Sequence, residues 1–291
     1  MALAMAGFTI NDAFIKSLDD ALPVMQTMSV RGAFLLALMA LWLKWPRGAK
    51  APSLSLQDLT HVATHSLVLM RAACELLATV FFLLALTRLP FAVIVAVLQA
   101  MPLLVTAGAA LFLGESVGWR RWMAIAVGLI GVLIILRPGA EQGFPGAALI
   151  FMLACVLLSA ARDLCTRRLP KSIPSIGVTL ISASVITCGG VVGMLFSDTW
   201  VPLSLHHLIV LASASVFLFV GMQGIVLAMR TGQVASIVPF RYTSLLWAVS
   251  LGWLVFDEVP DRWTLTGAAI VVGMGIYTFA RERQLSQRAA H

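Results

Sequence analysis

Of the 291 residues, 60% are hydrophobic and 11% are charged, and the mean hydropathy is +0.96. Ordinary soluble domains carry roughly 25% charged residues, so this composition excludes a water-soluble globular protein. A net charge of +7 and a pI near 9.8 would suggest a nucleic-acid partner in a soluble chain, but here the placement of each basic residue accounts for the excess and no nucleic acid is expected.

About 20 mostly apolar residues cross roughly 30 Å of hydrocarbon. Ten such windows follow in chain order, at residues 3–18, 27–43, 62–86, 89–113, 120–136, 145–166, 175–197, 204–229, 233–256 and 263–280. The sequence therefore predicts an all-α integral membrane protein. The longest hydrophilic stretch, Lys44 to Leu59, is too short for a soluble domain, which leaves any chemistry to the spans and their loops.

The first window carries Asn11 and Asp12 in its middle. A signal peptide is the alternative there, but no basic residue precedes the apolar run and no small-residue cleavage site precedes Lys16 to Asp20, so a first helix is expected. Asn11 is a candidate cavity contact or an interhelical hydrogen bond. Asp12 and Lys16, four apart, are expected to pair at the membrane boundary.

In the third window Arg71 and Glu75 share one face. They form either an intrahelical ion pair that permits insertion or a site where Glu75 also meets a substrate ammonium or a proton. His61 and His65 share a face without a carboxylate or cysteine at ligand spacing, and the four cysteines, Cys74, Cys155, Cys165 and Cys188, lie singly as buried thiols. No metal and no cofactor is expected. In the fourth window Pro102 predicts a kink with Gln99 on the same face, and Glu115 closes the span too near water to be the transport site.

Cys155, Ser159 and Arg162 of the sixth window fall at helical spacing, with Asp163 beside them. Arg162 and Asp163 either pair structurally or form a gate that opens on one side. Gln223 in the eighth window is a further polar candidate. The ninth presents Pro239, Phe240, Arg241 and Tyr242 in succession. Pro239 frees a carbonyl that a neighbour or water must satisfy in a membrane, Arg241 can clamp a carboxylate, and Tyr242 or Trp247 can offer a flat apolar surface. The alternative is a packed kink with Arg241 reaching inward.

An inside N-terminus places twelve basic residues on the inner side: Lys44, Arg47, Lys50, Arg120, Arg121, Arg167, Arg168, Lys171, Arg230, Arg281, Arg283 and Arg288. Only Lys16, Arg88, Arg137 and Arg262 then lie outside, while Arg31, Arg71, Arg162 and Arg241 fall within spans. The positive-inside rule is met with both termini cytoplasmic. Trp42, Trp45, Trp119 and Trp122 at the inner boundary, and Trp200 and Trp263 at the outer, form an aromatic belt.

Residues 85–117 return 143 positions later as residues 228–260, with seven of 33 positions identical and the acidic stops Glu115 and Glu258 aligned. Two units are expected, 1–139 and 140–291. Five helices per unit is an odd number, so the second unit enters the membrane upside down, and inverted repeats of this kind recur in secondary transporters. Gly128 and Gly131, the set Gly189, Gly190 and Gly193, and the set Gly267, Gly273 and Gly275 allow close helix contact and equally a homodimer interface.

Residues 85–92 (Ala-Leu-Thr-Arg-Leu-Pro-Phe-Ala), Pro102, the Leu113, Gly114, Glu115 stop, Arg121, Trp122, Gly128 and Gly131 together resemble the EamA-type repeat of the drug/metabolite transporter superfamily. The second copy is similar in outline over residues 228–235, Asp257, Glu258 and Gly267 to Gly275, but Leu245 stands where the proline was and Asp257 replaces the glycine. The resemblance implies a ten-helix bundle in a bacterial-type inner membrane, with helices 1, 3, 4, 6, 8 and 9 around a central cavity and helices 5 and 10 peripheral. It implies a transporter, similar to exporters of amino acids, including aromatic ones. An exporter of organic cations, with Glu75 as the key anion, is the alternative within the superfamily. An intramembrane enzyme lacks its motifs here: there is no Gly-x-Ser-x-Gly, no His-Glu-x-x-His and no phosphate-binding glycine loop with lysine. A small-molecule substrate and the lipid bilayer are thus the expected partners.

Overall fold

The computed structural model describes residues 1–18, 21–44, 56–115, 118–139, 143–170, 172–196, 200–231 and 238–289. The regular elements among them are all helical: α1 (Ala2–Lys16), α2 (Val24–Lys44), α3 (Leu56–Thr64), α4 (Ser66–Leu86), α5 (Phe91–Leu98), α6 (Met101–Phe112), α7 (Trp119–Leu136), α8 (Gly146–Arg168), α9 (Ser175–Leu195) and α10 (Leu205–Thr231). A 3-10 turn (Val238–Tyr242) then leads into α11 (Thr243–Phe256), and α12 (Arg262–Ala289) closes the chain. Eight stretches are long and apolar enough to cross a membrane, with α5 and α6 counted as one, whereas α1 has 15 residues and Phe240–Phe256 is a shorter apolar helix. Trp45, Arg47, Lys50 and Lys171 lie outside the described residues, as do residues 232–237, where the ninth window was expected to begin.

Two expected helices are interrupted. The third is split at His65, whose backbone is extended (φ −72°, ψ 122°) and caps α4. The fourth breaks between α5 and α6, because Pro102 has no N–H for the Leu98 carbonyl, and the break falls at Gln99 and Ala100, just before the proline. Helix α5 is buried on every side from Phe91 to Val97, as an element apolar all round requires. It packs into the main core with Met28, Ile135, Met152 and Leu211. Large apolar side chains such as Leu111, Phe112, Leu195, Phe196, Leu246 and Leu254 are left exposed on the outside.

The main packing pairs are α4 with α8, α1 with α10, α7 with α12 and α2 with α9. Further contacts join α2 to α10, α4 to α9, α1 to α11, α6 to α8 and α5 to α11. Small residues bring the partners together and reveal their direction. Gly32 lies on Thr187 while Gly190 lies on Ser29 and Gly193 on Met25, so residue numbers rise along α2 as they fall along α9. Gly131 meets Gly267 while Gly128 lies near Met274, so α7 and α12 are likewise antiparallel. Except for Gly273, the glycines of the α7–α12 pair are thus occupied within the molecule.

Residues 114 and 257, where the two sequence copies differ, share one conformation: Gly114 has φ 70° and Asp257 has φ 53°. Both residue types tolerate the left-handed region. In each copy the next N–H reaches back over the helix end, Glu115 to the Ala109 carbonyl at 3.3 Å and Glu258 to the Gly252 carbonyl at 2.9 Å, satisfying a carbonyl of the last turn. At the start of α12, Asp261 accepts the Thr264 N–H at 2.9 Å and pairs with Arg137 at 2.6 Å. Burial opposes the Asp261 charge, but the Thr264 and Arg137 hydrogen bonds outweigh it and hold the carboxyl below the usual carboxylate range. Its contribution to stability is therefore present at neutral pH and lost as pH falls through that lowered value.

A Cβ on Gly267 would sit 2.5 Å from the Gly131 carbonyl oxygen and 2.5 Å from Ile135 Cγ1, whereas one on Gly273 meets nothing within 4 Å. Gly267→Val should therefore cost about 1–3 kcal/mol through overpacking, read as a lower unfolding temperature in detergent, and Gly273→Ala should cost nothing. Equal effects would contradict the α7–α12 packing.

Candidate functional site

Charged groups on α4 and α8, expected as two separate pairs, form one network that also reaches α9. Arg71 donates to Glu75 Oε2 at 2.7 Å, to Thr166 Oγ1 at 2.9 Å and to Ser182 Oγ. The other Glu75 oxygen faces Arg162 at 3.6 Å, and Arg162 holds Asp163 Oδ1 at 2.8 and 2.9 Å. Glu75 thus stands between two guanidinium groups, and its neutralisation crosses from α4 to α8. Ser182 had no spacing signal in the sequence, since its partner lies 111 residues away.

A second group lies across the interior on α1 and α2. Asn11 is 1% exposed and donates Nδ2 to Asp12 Oδ1 at 2.8 Å. Asp12 lies deep in the bundle within the field of Arg31 from α2, yet Asp12 and Arg31 each keep partial accessible surface. Cys155 of α8 is within electrostatic reach of both Arg162 and Asp12, which links the two groups. α1 packs mainly on α10 and α11, and α8 mainly on α4 and α6. Arg31 was legible only as an arginine within an apolar window.

The interior thus gathers Arg31, Arg71 and Arg162 against Asp12, Glu75 and Asp163, three charges of each sign. At about 2.5 to 3.5 kcal/mol for each charge placed at mid-bilayer on insertion scales, six are retained only where they answer one another or face water or a ligand.

The turn before α11 is held from the opposite half. Gln99 Nε2 donates to the Tyr242 carbonyl at 3.3 Å and to Ser244 Oγ at 3.1 Å. Ser244 Oγ donates to the Arg241 carbonyl at 2.9 Å and Thr243 Oγ1 to the Phe240 carbonyl at 2.7 Å. Side chains thereby satisfy the carbonyls that a broken helix frees. Tyr242 is buried with its hydroxyl against Gly275 of α12. Arg241 and Gln223 are half-buried and Trp247 is exposed. Among the described residues, no recorded contact joins these three to Glu75. Pro239 lies in the turn and Pro102 in the first turn of α6.

Lys16 does not pair with Asp12 as its spacing suggested. The end of α1 instead carries it to Glu258 at 2.6 Å and to the Leu89 carbonyl at 3.0 Å. Glu258 Oε2 accepts the Phe91 N–H at 2.6 Å, so it caps a helix N-terminus, but that of α5 in the other half rather than the next helix in sequence. Lys16 also lies over the Phe256 ring, 5.3 Å from its centroid. At the Glu115 end, Arg167 from the end of α8 meets Glu115 at 3.5 Å. Side-chain exposures of 11% and 25% for Lys16 and Glu258, against 47% and 49% for Arg167 and Glu115, make the first contact tight and the second loose.

Residues 1–137 match the EamA-like transporter family. The chain is similar to an S-adenosylmethionine uptake transporter of Rickettsia bellii, with 27% identity over 189 residues, 64% of this chain and 62% of that protein, so the match spans less than two thirds of that relative's length. It is 29% identical over 230 residues to a riboflavin transporter of Rhizobium johnstonii, 76% of this chain and 72% of the relative. A pseudopaline exporter of Pseudomonas aeruginosa is 23% identical over 270 residues, 93% of this chain and 91% of the relative. A solved crystal structure superposes with TM-score 0.60 over 97% of this chain and 98% of its own at 17% identity, a likeness of fold.

Removing the anion between two guanidinium groups should be costly. Glu75→Gln is expected to lose about 3 kcal/mol, the low end for breaking a buried pair, because the Glu75 side chain keeps 21% of its surface. Thermal unfolding reads the loss. Adding Arg71→Gln to Glu75→Gln should recover part of it by removing the cation whose recorded carboxylate partner is Glu75, and strict additivity would argue against the shared network.

Proposed function

From the EamA-like match over residues 1–137 and the transporter relatives, we propose that the chain is a secondary transporter of the EamA type in the drug/metabolite transporter superfamily. It moves amino acids, or metabolites with an amino-acid head, by alternating access through a central cavity, in the outward direction that the sequence resemblance implies. The observation that carries the substrate class is the balanced interior, Arg31, Arg71 and Arg162 against Asp12, Glu75 and Asp163. Such a cavity suits a zwitterion, which adds no net charge. An organic cation would add unbalanced positive charge, and Glu75, the anion expected to meet it, is already faced by two arginines.

In this reading the protein crosses a bacterial-type inner membrane ten times, in units 1–139 and 140–291, with the second unit inverted and both termini cytoplasmic. Several contacts support the inversion. Exchange α1 for α8, α2 for α9, α4 for α10, α5–α6 for α11 and α7 for α12. The α1–α10 pair then becomes α8–α4, α2–α10 becomes α9–α4, and α1–α11 becomes α8–α6. The self-paired α2–α9 and α7–α12 run antiparallel, as equivalent helices of an upside-down copy must. Gln99 and Tyr242, 143 residues apart, touch one another, which fits an axis passing between them.

Alternating access then assigns roles. Lys16–Glu258 and Arg167–Glu115 are equivalent latches at opposite membrane surfaces, and the tight one closes the outer side. Arg71, Glu75, Arg162 and Asp163 form the inner part of the cavity and its gate. Asn11, Gln99, Gln223, Tyr242 and Trp247 complete the lining or position it, with Arg241 outside the balanced set and Gln99 and Tyr242 holding the kinks at Pro102 and Pro239 together.

Purified protein in liposomes should move labelled neutral or aromatic amino acids, and Arg162→Gln should lower that flux at least tenfold. Flux of tetraphenylphosphonium with none of any amino acid would overturn the substrate class in favour of organic cations.

A further inference from the structure

The α1 face of the cavity holds acceptors that the protein leaves unanswered. Asn11 is 1% exposed, yet its Oδ1 has no hydrogen-bond partner. A buried orphan acceptor is rare in native structures and calls for an explanation. Its own amide nitrogen is committed to Asp12 Oδ1 at 2.8 Å, which fixes the side chain so that the nitrogen faces Asp12 and the oxygen faces elsewhere. Among the described residues, that Asn11 donor is the hydrogen bond recorded for the Asp12 carboxylate, although a carboxylate can accept about four. Arg31 from α2 and Cys155 from α8 are the ionisable groups recorded within its field among the described residues.

An amide oxygen beside an under-used carboxylate is a place for a compact cation with several donors. An ammonium group carries three. We propose that Asn11 and Asp12 form the ammonium subsite of the cavity, taking a primary amine of the substrate on Asn11 Oδ1 and the Asp12 carboxylate. Arg31, the cation recorded within the field of Asp12, then answers the carboxylate of the same head group. Asp12 and Arg31, opposite charges within each other's field, receive a zwitterion between them, and the Glu75 network lies beyond Cys155. The subsite rests on the transport reading for its role in flux, but amine binding is measurable without it.

The test uses full-length protein in detergent and two probes, phenethylamine, which has the amine without a carboxylate, and 3-phenylpropionate, which has the carboxylate without an amine. Phenethylamine is expected to raise the unfolding temperature of the wild type in a concentration-dependent way. Asp12→Asn should shift its half-maximal concentration upward at least tenfold and leave that of 3-phenylpropionate within twofold. Asp12→Glu, which keeps the charge, should retain most of the amine response. Asn11→Ala removes a group with an orphan atom, so it carries the test if Asp12→Asn does not fold, with an expected three- to tenfold weakening for the amine alone. The assignment is overturned if phenethylamine gives no shift in the wild type, if the shift survives the test variant unchanged, or if both probes weaken together. Failure of amino-acid flux in liposomes with an intact amine response would instead remove the transport reading and leave the subsite.

Discussion

The structure is governed by the cost of keeping charge away from water. A bundle whose outer surface shows leucine and phenylalanine cannot hold a lone carboxylate inside it, and the sequence places three there. Each is met by a guanidinium, and the decisive meetings are between helices: Glu75 on α4 with Arg162 on α8, and Asp12 on α1 facing Arg31 on α2. Charge balance therefore specifies which helices face one another, while apolar packing and close glycine contacts hold the pairs together. The same balance leaves few free charges, so a ligand that enters must bring both signs or neither.

Symmetry and its breakage divide the work. The left-handed turns at Gly114 and Asp257, the matching bonds of Glu115 and Glu258, and the partner swaps among helix pairs repeat one plan twice. The charged contacts do not repeat it equally. Lys16 and Glu258 tie α1, α5 and α11 into a compact knot around Phe256, and Arg167 and Glu115 only graze each other at 3.5 Å. In the proposed transport cycle, two equivalent latches of unequal strength correspond to a molecule resting with one end closed. The repeat is also broken at Gln99 and Tyr242, equivalent positions with different chemistry.

Much of this was legible before any coordinates, and the reasons for what was not are physical. Helical periodicity and apolar length exposed the windows, and i, i+4 spacing found the Arg71–Glu75 pair because both partners lie on one helix. Adjacent Arg162 and Asp163 were found the same way. Contacts across the bundle leave no such trace: Ser182 with Arg71, Arg31 with Asp12 and Lys16 with Glu258 are separated by folding, not spacing. The Asp12–Lys16 expectation failed for that reason, since a nearer partner in sequence lost to a better placed one in space. Arg241 was marked for its chemistry. In the structure, the carbonyls of its turn are held by Gln99, Ser244 and Thr243.

The latches tie the geometry to transport most directly, so the decisive measurement is flux through a protein with one latch fixed. In a background without Cys74, Cys155, Cys165 and Cys188, the changes Lys16→Cys and Glu258→Cys place two thiols where a short bifunctional reagent, cleavable by reductant, can join them. Alternating access predicts that joining them stops amino-acid flux in liposomes and that cleaving the bridge restores it. Flux that continues undiminished through the bridged protein would contradict the account.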